Sequence, residues 1–321
     1  MDLTPDGIYE DLKKNKIKKY TAFDLLVSLV ENSDNENIRL KAIENLEKFE
    51  SNNESLYKFL ENLLISDSNN KVRIAATKFL KKKFLDKAIN PLKWAITHET
   101  DYECLVEIIQ SLERIKNDES KAILVKKIKE ILKIKYLNKE KRIENKKYKK
   151  VIKKIIKTKQ IVIFTHNKLA EILINYLTIE NLINEYSNVY YELDPQTGLI
   201  TELDLSDYLE YEVKGTPFGW KNNIKSISEI IGLKYLKNLK KIDLSNNQIE
   251  NIKELVNFDN LTHLILTNNK ISDKENLEYF KKLHNLEYLD LKNNEIIKNI
   301  HLNEFNPRIR VLLKDSYPKI K

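Results

Sequence analysis

Cysteine is almost missing from this chain. Cys104 stands alone in 321 residues, so neither an internal disulfide nor a multi-thiolate metal site can form. It falls in a helical apolar pattern, which predicts a buried and inert thiol. Five glycines and six prolines are too few for a collagen-like chain or a glycine-rich linker. No apolar run approaches the length of a membrane span, and residues 1–20 lack the basic patch and apolar stretch of a secretory signal. The expectation is a cytoplasmic protein with no membrane insertion. Catalytic signatures are missing too. There is no Gly-x-x-x-x-Gly-Lys phosphate loop, no Gly-x-Ser-x-Gly elbow and no paired-cysteine spacing. His98-Glu99-Thr100 lacks the second histidine of a zinc helix, and histidines 98, 166, 263, 284 and 301 share no ligand spacing. The chain is therefore expected to be no enzyme and to hold no metal or cofactor.

Positive charge is present but confined. The net charge is +8, yet residues 121–160 carry 17 Lys and Arg against 3 Glu, which leaves 39 basic and 45 acidic residues elsewhere. Leu124, Ile128, Ile131 and Leu132 mark one amphipathic helix here, and Tyr148, Val151, Ile152 and Ile155 mark a second. Lys126, Lys127, Lys146, Lys147, Lys150, Lys153 and Lys154 are the candidate polyanion-binding residues, acting by phosphate neutralisation on nucleic acid or by attraction to anionic lipid. Arg142 is the one arginine among the 17, and only Tyr136 and Tyr148 supply aromatic rings. Base reading favours arginine and stacking aromatics, so any such contact would be to the backbone. The competing reading is two helices with solvated lysine faces.

What the sequence has in abundance is repetition. Leu239-x-x-Ile242-x-Leu244-x-x-Asn247-x-Ile249 recurs as Leu261-x-x-Leu264-x-Leu266-x-x-Asn269-x-Ile271 and as Leu286-x-x-Leu289-x-Leu291-x-x-Asn294-x-Ile296, at intervals of 22 and 25 residues. Residues two apart on a strand point the same way, so Ile242 and Leu244 face a core that one segment cannot bury alone. Asn247, Asn269 and Asn294 are placed to pair turn amides that would otherwise be buried unpaired, and stacked segments would align them in a ladder. Apolar residues three apart in the spacers predict short helices or 3₁₀ turns.

A hairpin precedes this frame. Tyr190 to Leu193 and Leu199 to Leu205 flank Asp194-Pro195-Gln196-Thr197-Gly198, in which Pro fixes one φ and Gly supplies another. The second arm reads Ile200-x-x-Leu203-x-Leu205, with Tyr208 where the frame has Asn. Aligning Ile227 with Ile249 leaves about 17 inserted residues, which carry Phe218 and Trp220 either as candidate partner anchors or as a plug for the end of the repeat array or its joint with the helical half. Between the lysine segment and the hairpin, Thr165 is a plausible N-cap for a helix to Leu177, and Thr178 for another to Tyr186. Ile309-x-x-Leu312 reads as an incomplete last strand before a C-terminal cap.

Residues 21–115 follow a different period. Asn37-Ile38-Arg39-x-x-Ala42-Ile43-x-x-Leu46 and Lys71-Val72-Arg73-x-x-Ala76-Thr77-x-x-Leu80 lie 34 residues apart, and Cys104, Ile108 and Leu112 form a weaker third copy without the arginine. Another helical segment precedes each copy. Arg39 and Arg73 are read as ties between successive repeats.

The framed segments resemble short intracellular leucine-rich repeat proteins, and the paired helices resemble HEAT-type repeats. Both resemblances imply binding platforms without attached chemistry. The expected fold is α plus α/β: a HEAT-like α-solenoid over residues 1–160 with a basic C-terminal part, a helical junction over 161–187, and a leucine-rich repeat solenoid with a short parallel sheet over 188–321, with a hairpin cap and an inserted loop at 207–224. Strand alternation then places Glu202, Asp204, Lys241, Asp243, His263, Ile265, Tyr288 and Asp290 on the concave face, with Ile265 as an apolar centre inside a polar rim. The expected function is a scaffold or adaptor that binds protein partners there, the alternative being nucleic-acid or ribonucleoprotein binding through residues 121–160.

Overall fold

The computed structural model describes residues 3–49, 53–133, 139–157, 160–186, 188–207, 222–298 and 300–314, with the backbone alone at 139–145, 160 and 162. The chain forms two compact units, Met1–Ile131 with Phe164–Ala170, and Leu132–Ile163 with Glu171–Lys321.

Helices α1 (Pro5–Lys13), α2 (Lys19–Asn32), α3 (Glu36–Glu47), α4 (Glu54–Ser66), α5 (Asn70–Lys83), α6 (Ile89–His98), α7 (Tyr102–Ile115) and α8 (Asp118–Ile131) make up the first unit. Several of their starts are set by side-chain caps. Asn35 Oδ1 accepts from the Asn37 and Ile38 amides, Asn69 Oδ1 from those of Lys71 and Val72, and Asp101 Oδ1 from that of Cys104. Helix α2 packs on α3, α4 on α5 and α6 on α7, while α3, α5 and α7 follow one another in one layer and α4, α6 and α8 in the other. Ala42 and Ala76 are fully buried, which lets the helices approach closely.

The two registered arginines join successive pairs. Arg39 on α3 donates to the Val30 carbonyl at 2.6 Å and grips both oxygens of Asp67, which follows α4. Arg73 on α5 grips Glu99 at 2.7 and 3.0 Å and donates to the carbonyls of Asp67 and Ser68. Burial opposes ionisation of Glu99. The Arg73 guanidinium and the amides of Asp101 and Thr100 outweigh it, and the carboxyl is lowered to about 2. Cys104 is buried beside Glu99, and its thiol is pushed well above the ordinary range, first by burial and then by that carboxylate. In place of a third arginine tie, Lys81 on α5 pairs with Glu107 on α7.

In the second unit, α9 (Lys139–Lys157), α10 (Gln160–Ile163) and the later part of α11 (His166–Glu185) accompany a six-stranded sheet. Its strands are β1 (Tyr190–Leu193), β2 (Ile200–Asp204), β3 (Lys241–Asp243), β4 (His263–Ile265), β5 (Tyr288–Asp290) and β6 (Arg310–Leu312), in sequence order across the sheet. β1 and β2 pair antiparallel as the hairpin, and the remaining pairs are parallel. The α plus α/β class is thus what the structure shows. Short 3₁₀ turns and α12 (Glu275–Lys282) link the parallel strands, because a parallel pair needs a crossover. Thr165 does cap α11, its hydroxyl accepting from the Lys168 amide, but Thr178 starts no second helix. It is fully buried within α11, which runs on to Glu185. Helix α9 belongs with the sheet rather than with the preceding helices, because Tyr148, Ile152 and Ile155 are buried within this unit and Ile152 lies over Gly198 of the hairpin turn.

One core row, Leu203, Ile242, Leu264 and Leu289, crosses β2 to β5 in register and continues to the half-buried Val311 on β6, and a second, Leu205, Leu244, Leu266 and Leu291, follows it at complete burial. Each such leucine contributes about 2 kcal/mol by leaving water. The framed asparagines close this core from one end. Asn269 Nδ2 donates to the carbonyls of Leu266 in its own segment and Leu244 in the preceding one, and its Oδ1 accepts from the Ile249 amide at 2.9 Å. Asn247 and Asn294 repeat this bracket with Ile224 and Ile271. The amide each one pairs thus belongs to the preceding segment.

The bracket expected to be lost at Tyr208 exists elsewhere. Asn222 Nδ2 donates to the carbonyls of Leu205 at 3.0 Å and Asn188 at 3.2 Å, the position that Asn247 holds one segment later. Asn222-x-Ile224 therefore resumes the frame. A regular segment has its Asn three residues after the strand leucine, whereas Asn222 follows Leu205 by 17, so the insertion is 14 residues rather than about 17 and coincides with 208–221.

Two expectations follow. Asn269→Ala should cost on the order of 3 kcal/mol, since it strips partners from buried backbone groups of two segments at about 1 kcal/mol each. Urea unfolding should show a lower midpoint at unchanged slope, and Asn222→Ala should behave alike if it is the first bracket. Glu99, with its pKa depressed from 4.5 to about 2, stabilises the fold above the ordinary carboxylate value and loses that contribution as pH falls from about 4.5 toward 2. Unfolding midpoints measured across this window should fall less steeply for Glu99→Gln than for the parent.

Candidate interaction surfaces

The sheet face opposite the core row is assembled by register alone. Glu202, Lys241, His263, Tyr288 and Arg310 are aligned across β2 to β6, and Asp204, Asp243, Ile265, Asp290 and Leu312 form the next row. All eight residues predicted for this face on the strands are thus brought together. Phe218 and Trp220 lie outside the described residues.

The rows differ in character. In the first, Glu202 and Lys241 face each other at 3.8 Å, the His263 and Tyr288 rings stack at 5.6 Å and 21°, and the Arg310 guanidinium lies over Tyr288 at 5.9 Å. The His263 ring is oriented by Thr262, whose hydroxyl lies 2.9 Å from Nδ1. Tyr288 titrates above its ordinary value, through burial and then the nearby Asp290 charge.

In the second row the acids are engaged locally. Asp204 Oδ1 accepts from the Ser206 amide and hydroxyl at 2.8 and 2.6 Å, and Asp243 Oδ1 from those of Ser245 at 2.9 and 2.7 Å. Burial raises the Asp243 carboxyl, and the Asp204 charge adds to it against the serine bonds that lower it. Asp290 is only 5% exposed, accepts from the Lys292 amide and pairs with the Lys292 ammonium at 3.5 Å. It is therefore a buried, paired acid and no member of an accessible rim. Ile265, half-buried, stands between Asp243 and Asp290 as the apolar member of the row.

The lysine candidates divide. Lys126 and Lys127 lie on α8 in the first unit, and Lys146, Lys147, Lys150, Lys153 and Lys154 on α9 in the second. Lys127 donates to the Ile96 carbonyl at 2.6 Å and so caps the last turn of α6, where a cation suits the helix dipole. Lys126 is loosely paired with Glu130 at 3.7 Å. Lys147 pairs with Glu192 of β1 and lies over the Tyr190 ring, and Lys154 has a partner of its own. Lys146, Lys150 and Lys153 are exposed. Tyr148 is no stacking aromatic. It is fully enclosed, and its hydroxyl lies 2.9 Å from both the Ile172 and the Gly198 carbonyls.

Three structural asparagines escaped the sequence pattern. Beside Asn222, Asn175 on α11 accepts from the Ile200 amide at the start of β2, and Asn276 on α12 accepts from the Ile252 amide and donates to the Glu250 carbonyl. Only Asn222 carried a signal, its Asn-x-Ile spacing. Among the described residues no group of His, Cys, Asp and Glu is placed to hold a metal ion, and no helix is long and apolar enough to cross a membrane. No family model, curated protein or solved structure matches the chain.

Tyr148→Phe should leave the buried Ile172 and Gly198 carbonyls without their hydroxyl donor and cost about 1 to 2 kcal/mol. The measurement is the thermal unfolding midpoint, which should drop while the far-ultraviolet circular dichroism stays unchanged.

Proposed function

We propose that this protein is a scaffold or adaptor that captures a protein partner on the sheet face, its paired helices forming a HEAT-like solenoid and its strands a leucine-rich repeat solenoid. One observation carries the reading. Two adjacent rows of aligned side chains set the His263, Tyr288 and Arg310 stack beside the half-buried Ile265 on the side of the sheet that the core does not use. A preassembled aromatic and arginine cluster beside an aliphatic residue is the composition of an interface hot spot, and its rings are already ordered, so little entropy is lost on binding. Glu202 and Lys241 extend the row as a polar margin, each still more than two-fifths exposed. Phe218 and Trp220 are proposed to add anchors from the inserted segment, and the protein is proposed to act in the cytoplasm.

The local pairing of the face favours a binding reading: Asp204 and Asp243 are bound to neighbouring serines, Asp290 to Lys292, and His263 stacks on Tyr288.

The test is affinity capture from native lysate with the intact protein, Ile265→Asp and Tyr288→Ala. A partner bound at this face should be lost with both variants, Tyr288→Ala weakening it by about 30-fold for the roughly 2 kcal/mol of a hot-spot truncation. Both variants must keep the parent's unfolding midpoint. A partner retained by both would overturn the assignment of the face.

A further inference from the structure

The outward side of α9 is a lysine stripe. Lys146, Lys150, Lys153 and Lys157 follow one another at intervals of four, three and four, the spacing that keeps side chains on one line of a helix, and all are exposed. None has a hydrogen bond or ion pair with any described residue, whereas Lys147 is taken by Glu192 and Lys149 is half-buried. The stripe runs about 16 Å along the axis at the helical rise per residue. Like charge is felt beside it. The Lys149 ammonium is held below its ordinary value by burial, and the Lys153 charge pushes it the same way against the opposing pull of Glu180.

On the opposite side Tyr148, Ile152 and Ile155 are buried, and the described exposed residues of α9 are lysines without an aromatic or aliphatic anchor among them. Helices that lie on membranes carry such anchors. Among the described side chains of α9, a single row of cations with no arginine fork and no exposed ring cannot read bases but can follow a chain of phosphates. We propose that α9 binds the phosphodiester backbone of nucleic acid through Lys146, Lys150, Lys153 and Lys157, without sequence preference. This site is separate from the sheet face and does not rest on the partner proposed there.

The experiment is fluorescence anisotropy of the intact protein with a labelled mixed-sequence DNA duplex across a salt series. Four neutralised phosphates give a slope of log affinity against log salt of about −3.6, so affinity should fall about 150-fold between about 50 and 200 mM salt. Lys150→Gln alone should reduce the slope by about 0.9, and replacement of all four lysines by Gln should flatten it. Lys240→Gln, an exposed site in the loop before β3, should change nothing. Circular dichroism melting of each variant verifies that the fold is kept. Phosphatidylserine vesicles and polyglutamate run in parallel. Absence of duplex binding at low salt, a slope that survives the fourfold replacement, or vesicle or polyglutamate binding as tight as the duplex would each overturn the assignment.

Discussion

The sheet depends on how buried backbone groups find partners where each strand ends. At these points the chain turns while still under the cover of its neighbours, and an unpaired amide or carbonyl there costs about 1 to 3 kcal/mol. Asparagine solves this because it alone among small side chains offers both an acceptor and two donors. Asn269 spends its acceptor on the Ile249 amide of the preceding segment and its donors on the Leu244 and Leu266 carbonyls. The bond reaches between segments, so it fixes their register as well as satisfying them. A second line supports the first. Asn246, Asn268 and Asn293 hold positive φ, a conformation asparagine tolerates better than other branched residues, and their amides hydrogen-bond in sequence at 2.6 Å. The surface rows follow from that register. His263 meets Tyr288, and Ile265 meets Asp290, only because adjacent segments cannot slip by two residues.

The helical unit meets the corresponding problem with charge. There each pair must be held to the next at the helix ends, and Arg39 with Asp67, and Arg73 with Glu99, do so as two-pronged pairs that also bind backbone carbonyls or amides. A partly buried ion pair repays its desolvation only when its remaining donors and acceptors are satisfied. Glu99 meets that condition, receiving the guanidinium and two amides at once. Neutral asparagine brackets and arginine clamps thus play one part in the two units, with the difference that the clamps are ion pairs.

What the sequence revealed and what it hid divide along physical lines. Strand positions were legible because period and hydrophobicity agree at Ile242, Leu264 and Leu289 and dictate which way each neighbour points. The first bracket was hidden, since counting three residues from Leu205 lands on Tyr208. The Asn that serves there, Asn222, is recognised only by its spacing to Ile224. Alternation also could not tell Asp290 from Asp243. Both face outward in principle, but Lys292 folds over one of them, and that depends on a rotamer instead of a pattern. Lys127 and Lys147 counted as equal members of a basic block until their partners, the Ile96 carbonyl and Glu192, came from elements 31 and 45 residues away. Asn175 and Asn276 belong to the same kind, their roles set by distant chain segments.

Helix α9 shows how far folding alone accounts for a surface. Packing asks only that Tyr148, Ile152 and Ile155 share a side, and solubility asks only that the other side be polar. A mixture of lysine and glutamate would meet both demands and add favourable pairs of about 0.2 to 0.5 kcal/mol at four-residue spacing. Instead the helix carries ten basic residues and two acidic ones, an excess of +8 that equals the net charge of the entire chain. Lys146 with Lys150, and Lys153 with Lys157, repel at the spacing where a salt bridge would stabilise. Neither packing nor solubility requires that repulsion, and the nucleic acid proposed for this face would relieve it.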